Sequence, residues 1–332
     1  MREIPAILAA LAAAPGEPAA LATLVHVEGS SYRRPGARLL LLANGTRLGS
    51  ISGGCLEDDV VLRAQRVLAS GQPEVAIYDT TEENDLVWGV GLGCRGVVHI
   101  FIEPLPVARP AWIGELRQNL QARRSTTLAV VHGGRHAIGQ GTRLLGELPA
   151  GEITSDVFRE TVGAPPPLVV FGAGEDALPL VRLAKEIGWH VTVVDSRAGY
   201  ATTARFPEAD SVIVTAADAV SQMPLDAGTF AVVLTHRYSE DVKLLRALLP
   251  KTLAYLGVLG PRKRTDRILT ELKANGFTPD TAMLARLHAP VGLDLGATTP
   301  EGVALAILAE LQSRLGNRTP IHLRDRPGPI HG

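Results

Sequence analysis

Two domains of different kinds are predicted: an N-terminal α+β domain over residues 1–150, and an α/β Rossmann-like, doubly wound parallel-sheet domain over 168–315. Three observations predict them. Pro165-Pro166-Pro167 is a stiff stretch, and it marks a Pro-rich linker over 151–167. After it, an apolar strand at 168–171 enters Gly172-Ala173-Gly174-Glu175-Asp176-Ala177, a helix follows, and a second strand ends in Asp195, 23 residues beyond Gly172. Before it, short strands are joined by a hairpin and by glycine turns, with few helices between them, which suits an α+β arrangement.

The 332 residues exceed the usual size of one hydrophobic core, and 46% hydrophobic against 20% charged residues is enough apolar content for two. The formal net charge is −1, from 33 basic and 34 acidic residues, which gives no electrostatic case for nucleic acid or an acidic membrane surface. Two distant cysteines make neither a disulfide framework nor a four-ligand zinc spacing. At the start of the chain Ile4, Ile7, Leu8 and Leu11 share one helical face, so an amphipathic helix is expected there rather than a signal sequence. No segment is long and apolar enough to span a bilayer. A soluble, cytoplasmic protein with no membrane partner is expected.

The N-terminal half opens with a strand at 20–27 and then Glu28-Gly29-Ser30-Ser31-Tyr32-Arg33-Arg34-Pro35-Gly36. Ser30, Ser31, Arg33 and Arg34 suit a phosphate or carboxylate through charge-assisted hydrogen bonds; the alternative is a solvated turn. A strand at 38–42 turns at Asn44-Gly45, a strong hairpin signal, into a strand at 46–51. That hairpin leads to Gly53-Gly54-Cys55 and a helix that begins near Glu57-Asp58-Asp59. Glycines allow a ligand close to the backbone, and the free N–H groups of a helix start favour an anion or a thiolate. Equally, Gly53-Gly54 makes a tight turn and Cys55 is a small buried hydrophobe. The three acids after the thiol work against a lowered cysteine pKa.

A strand at 74–78 precedes Trp88-Gly89-Val90-Gly91-Leu92-Gly93-Cys94-Arg95-Gly96, where the second cysteine stands between Gly93 and Arg95. Strands at 97–102 and 127–131, a helix at 111–122 between them and a short strand within 139–148 complete the domain. Cys55 and Cys94 admit three readings: a redox pair, a nucleophile with a helper, or soft ligands to a cofactor metal or sulfur. His26, His99, His132 and His136 are available as further ligands or bases.

In the C-terminal half, Gly172 and Gly174 belong to the turn at which a pyrophosphate would sit, and Asp195 stands where a ribose hydroxyl would be held. Strands at 211–214, 230–234 and 254–259 alternate with helices, as a parallel sheet covered on both faces requires. Ligands of such sheets bind beyond the carboxyl ends of the strands, the expected place of Asp195, His236, Arg237 and the Arg262-Lys263-Arg264 cluster. Cations at a helix start oppose the helix dipole, which favours a functional role for that cluster over a solvated helix start. A rigid loop follows, His288-Ala289-Pro290-Val291-Gly292-Leu293, then a last helix at 300–315 and a Pro- and Arg-rich tail, 316–332.

Gly29-Ser30-Ser31-Tyr32-Arg33-Arg34-Pro35-Gly36, Gly53-Gly54-Cys55 with Glu57, and Gly91-Leu92-Gly93-Cys94 resemble the N-terminal domain of the XdhC/CoxI family. Gly172-Ala173-Gly174, Thr235-His236-Arg237, Gly257-Val258-Leu259-Gly260 with Arg262, and the loop from His288 are similar to its Rossmann-like C-terminal domain. The resemblance covers roughly residues 20–315 in the family's order of motifs; Pro261 stands where the family pattern has serine. It implies an accessory protein of xanthine dehydrogenase and related molybdenum hydroxylases. Such a protein binds the molybdenum cofactor, molybdopterin or its cytosine dinucleotide form. It protects the cofactor while a cysteine desulfurase or other sulfurtransferase adds the terminal sulfido ligand, and hands it to the apo-hydroxylase. Cys55 or Cys94 would be a soft contact to molybdenum. A homodimer is the usual expectation for such a chain.

Two other classes of function compete with a cofactor chaperone. One is an NAD(P)-dependent oxidoreductase that uses the Rossmann-like domain, with His236 as its acid–base candidate. The other is a thiol enzyme with Cys55 as nucleophile. Whether the chain is an enzyme at all stays open at this level.

Overall fold

Residues 3–79, 96–134, 139–149, 151 and 153–327 are described in the computed structural model of the chain. The chain forms two compact units, Met1–Ala164 and Pro165–Gly332. In the first, β1 (Ala19–Gly29) is the centre of a five-stranded antiparallel sheet. Its order is β3 (Arg47–Gly49), β2 (Arg38–Leu42), β1, β5 (Gly96–Leu105), β4 (Glu74–Asp79). From Ala19 to Val25 β1 is buried on both faces and almost wholly apolar, and its period-two alternation divides two cores. Ala20, Ala22 and Leu24 face α2 (Glu57–Ser70), which contributes Val60, Val61, Ala64 and Val67. Ala19 and Leu21 join the core beneath α1 (Glu3–Ala13) and α3 (Ala111–Gln121), where Ile7, Leu8, Leu11, Trp112, Ile113 and Leu116 are buried.

The expected hairpin is present. Gly45 has φ +88°, and Asn44 Oδ1 accepts the Thr46 amide at 2.8 Å, which closes the turn between β2 and β3. A second, three-stranded sheet runs β7 (Gly141–Leu144), β6 (Thr126–Val131), β8 (Val157–Val162). This corrects the linker expected over 151–167: β8 lies inside it, in antiparallel register with β6. Its central Arg159-Glu160-Thr161 masks the strand signal, yet Val157 and Val162 are buried at its ends. Glu160 also takes the guanidinium of Arg38, 2.7 Å away and 2% exposed, a pairing that ties the small sheet to β2. The break between units falls later, at Ala164/Pro165.

The second unit is a parallel sheet in the order β11 (Ser211–Val214), β10 (His190–Asp195), β9 (Pro167–Phe171), β12 (Phe230–Val233), β13 (Tyr255–Val258), β14 (Leu287–His288). Read from β9, this is the 3-2-1-4-5-6 order of a doubly wound fold. Alternate residues of β9 serve opposite layers. Leu168 and Val170 pack under α4 (Ala177–Glu186) and α8 (Pro300–Leu315), and Val169 and Phe171 pack with α5 (Tyr238–Leu248) and α6 (Arg262–Ala274). A short α7 (Thr281–Ala285) leads into β14. α8 starts as its sequence asks, with Pro300 in the first turn and Thr299 Oγ1 accepting the Gly302 amide at 3.2 Å. No helix among the described residues is long and apolar enough to cross a membrane.

Candidate functional site

The turn that carries Cys55 lies between β3 and α2. Gly53 and Gly54 adopt φ +87° and +120°, conformations that glycine enters without strain. The turn is organised by Glu57, the first residue of α2. Its carboxylate accepts the amides of Ile51 at 3.0 Å, Ser52 at 2.9 Å and Gly54 at 2.8 Å, together with the hydroxyls of Ser50 and Ser52. Burial pushes this carboxyl up, but the hydrogen bonds from Ser52, Ser50 and Ile51 outweigh it and hold the pKa at about 2. A carboxylate at this position also suits the positive end of the α2 dipole. The ring of amides that the glycines promised to an external anion is therefore filled by the chain's own side chain. What the turn presents outward is Cys55, which is an exposed thiol and not a buried hydrophobe.

The arginine loop meets this turn. A Cβ on Gly53 would lie 2.7 Å from Tyr32 Cε1, so the missing side chain is what seats the Tyr32 ring. Arg33 reaches Glu3 at 3.7 Å, and Glu3 also accepts the amides of Arg38 at 3.2 Å and Ser50 at 3.1 Å. Arg33 is thereby drawn towards the join of α1, β2 and β3. Arg34 and Ser30 are exposed and Ser31 is half-buried. Loop 30–36 and turn 50–56 thus lie side by side. Gly93, Cys94 and Arg95 lie outside the described residues, as does His136. His26 and His99 meet edge to face at 5.1 Å, with His26 Nε2 3.3 Å from Glu28. Among the described residues no group of three or more His, Cys, Asp or Glu is arranged to hold a metal ion.

In the second unit, Asp195, His236 and Arg237, three of the residues expected beyond the strand ends, lie at the loops after β10 and β12 and meet the loop after β9 or one another. Asp195 is buried at the end of β10. It accepts the Ala173 amide at 2.8 Å, the Arg197 amide at 2.9 Å and the Arg197 guanidinium at 3.0 and 2.7 Å. Burial raises this carboxyl, but Arg197 and the Ala173 amide outweigh it and bring the pKa to about 2. Arg237 adds a contact at 3.7 Å and donates to Ser196 Oγ at 3.0 Å. The acid expected at a ribose is thus saturated by internal donors. His236, at φ +57°, places Nε2 2.6 Å from Asp176, so a side chain from the β12 loop bridges to the β9 loop. Arg197 lies over the Tyr200 ring at 3.9 Å, and Arg205 pairs with Glu175 at 2.9 Å.

Gly172 has φ +115°, and a Cβ there would stand 2.7 Å from the Leu234 carbonyl. Gly172→Ala is expected to destabilise the protein by about 2 kcal/mol, because backbone cannot move aside as a flexible side chain can; thermal denaturation checks it. A Cβ on Gly174 would meet open space, which leaves the turn approachable at that residue. Arg262 and Lys263 are exposed at the start of α6. Arg264 is not part of a solvated cluster: it pairs with buried Asp241, Nε at 3.0 Å, and Asp241 accepts Thr235 Oγ1 as well.

Sequence reasoning missed Glu57 as the organiser of the turn, and Arg197 and Asp176 as partners of Asp195 and His236. The Ser50-x-Ser52 pair upstream of a helix-starting glutamate was an available signal for Glu57. Arg197 stands only two residues beyond Asp195, so Asp195-x-Arg197 was a local signal as well, whereas the His236–Asp176 pairing joins separate loops and leaves no local pattern.

Comparison with known proteins follows the two units. A family model described as the XdhC and CoxI family matches residues 12–79, and one described as the XdhC Rossmann domain matches 168–311. The chain is 33% identical over 317 residues to a protein of Bacillus subtilis described as a probable xanthine dehydrogenase subunit, covering 89% of this chain and 92% of that one. It is 24% identical over 300 residues to the molybdenum cofactor insertion chaperone PaoD of Escherichia coli, covering 90% and 84%. A crystal structure of a xanthine dehydrogenase from Bacillus halodurans superposes with TM-score 0.81 at 31% identity, over 98% of each chain.

Proposed function

This chain belongs to the XdhC and CoxI family, and on that premise we propose that it is an accessory protein that carries the molybdenum cofactor to a molybdenum hydroxylase of the xanthine dehydrogenase type. The relative named as an insertion chaperone supports this reading. The observation that carries it is the make-up of the Cys55 turn. Its amides are already used by Glu57, and what it offers outward is a thiol beside a loop that bears an exposed guanidinium. A thiol is a soft group suited to molybdenum or its sulfido ligand, and an arginine suits the phosphate of a pterin or of its cytosine dinucleotide form. The protein holds the cofactor in the cytoplasm while a cysteine desulfurase or related sulfurtransferase installs the sulfido ligand. It then passes the cofactor to the apo-hydroxylase, and a homodimer is the form in which we expect it to act.

A second reading, an NAD(P)-dependent oxidoreductase, draws on the strand order of the second unit. Against it, Asp195 is engaged by Arg197 and Ala173, and Glu175 and Asp176 place two acids where a pyrophosphate would lie. One experiment separates the two. The protein is purified from a host that makes molybdopterin and assayed for bound pterin and for NAD(P)H turnover. Pterin is expected with the wild type, and Cys55→Ala is expected to retain at least about tenfold less, a loss of ~1.4 kcal/mol in binding. Steady NAD(P)H oxidation on some substrate, with no pterin bound, sinks the chaperone reading.

A further inference from the structure

Among the described residues of the first unit Tyr32 is the most exposed large hydrophobic side chain, with 69% of its surface in solvent, and yet its ring is seated by packing. Its ring lies against the Gly53 turn so closely that a Cβ at Gly53 would stand 2.7 Å from Cε1, 2.8 Å from Cδ1 and 3.3 Å from Cζ. The ring therefore rests on a turn with no side chain, and that turn is itself held rigid by the Glu57 hydrogen bonds. An aromatic ring that served only the core would be covered; this one has a firm seat and an open surface. Two residues along the turn from its seat is the exposed Cys55. Two residues along its own loop is Arg34, exposed and with no side-chain hydrogen bond or ion pair among the described residues. Arg33 differs, since its head group reaches Glu3 and its Nε is buried.

From this juxtaposition we infer that Tyr32 is a stacking platform for the flat heteroaromatic ring of the cargo, a pterin, on the pair of loops that also bears the Cys55 thiol and the Arg34 guanidinium. The inference rests on the cofactor-carrier reading and adds the residue that recognises the organic part. The three chemistries match the three parts of such a molecule: an aromatic face for the ring, a thiol for the soft metal end, and a guanidinium for the phosphate. Aromatic stacking is tolerant of which ring it meets, because every heterocycle has a π-face, and removal of a stacking side chain weakens binding of a base about tenfold or more. Gly53 has a second role here beyond its backbone angle: any side chain at that position displaces the platform.

The test uses the full chain and a metal-free pterin monophosphate as probe. Pterin fluorescence is followed on titration, alongside the amount of pterin that co-purifies from a molybdopterin-making host. The wild type is expected to bind and to quench the fluorescence by stacking. Tyr32→Phe keeps the ring and is expected to stay within about twofold, whereas Tyr32→Ala is expected to bind about tenfold more weakly and to lose the quenching. Arg34→Ala is expected to weaken binding while the quenching at saturation persists. Both side chains are exposed, so an unchanged melting temperature shows that the variants fold. Wild-type affinity and quenching in Tyr32→Ala overturn the platform while the carrier reading stands. A wild type that neither binds the probe nor co-purifies with pterin overturns the carrier reading, and the platform with it.

Discussion

Arg264→Ala is expected to lower the unfolding free energy by about 3 kcal/mol, the usual loss when one partner of a buried ion pair is removed. The reason is what it leaves behind. Asp241 is 1% exposed, and its carboxylate is held by the Arg264 guanidinium and the Thr235 hydroxyl. Without Arg264 one hydroxyl remains to balance a buried negative charge, and hydroxyl donation does not replace an ion pair. The measurement is urea denaturation, read as a fall in midpoint with little change in slope. Adding Asp241→Asn should restore part of the loss, because the neutral amide no longer needs a cation. A single variant within ~0.5 kcal/mol of wild type would show that the pair contributes nothing to the fold. Since Asp241 lies in the first turn of α5 and Thr235 lies in the loop between β12 and α5, next to His236, the same variant is expected to loosen the backbone that positions His236.

Glu57→Gln is expected to cost about 2 kcal/mol at pH 7, on the scale of hydrogen bonds to a charged acceptor. An amide offers one acceptor oxygen where the carboxylate offers two, so part of the Ile51–Leu56 loop loses its anchor. The pH dependence gives a sharper reading. The folded pKa of about 2 lies below the ordinary value of 4.5, so the ionised form is the one the fold favours. That contribution is complete above about pH 4.5 and is lost as pH falls towards 2. Asp195, also held at about 2 and in the other unit, adds to the slope with the same sign. Melting temperatures of wild type and Glu57→Gln should therefore converge as pH falls from 5 to 2.5, with the Asp195 share of the slope remaining in both. Parallel curves would refute the assignment of that stability to Glu57. At neutral pH the variant should also alkylate Cys55 at an altered rate, because the turn that presents the thiol is no longer fixed.

Much of the fold was legible in local pattern. The hairpin at Asn44-Gly45, the helix from Pro300 and the strand–glycine–helix–strand–acid run from Leu168 to Asp195 all stand as their residues predicted. Each depends on contacts between near neighbours: a turn angle, a capping hydroxyl, an apolar period. β8 was not legible, because its central Arg-Glu-Thr reads as linker and its pairing partner lies some thirty residues earlier. The same limit applied to the candidate site. Gly53-Gly54-Cys55 and the Arg33-Arg34 loop stood out as residue types, but their adjacency rests on the Tyr32–Gly53 contact.

By itself, then, the sequence determined the α/β class of the second unit, the elements of the first, the family's motifs in their order and the residue types available for an anionic, metal-bearing cargo. Tertiary structure alone decided which groups are free to meet a ligand. Glu57 fills the amide ring that the glycines advertise, Asp195 takes the Ala173 amide from the loop after β9, and Arg264 is withdrawn to Asp241, while Cys55, Tyr32 and Arg34 remain open. The physical reason is that a hydrogen-bonding group is satisfied by whichever partner the folded chain brings within about 3 Å. Residue type fixes what a group can bind, and only the fold determines whether it is already bound.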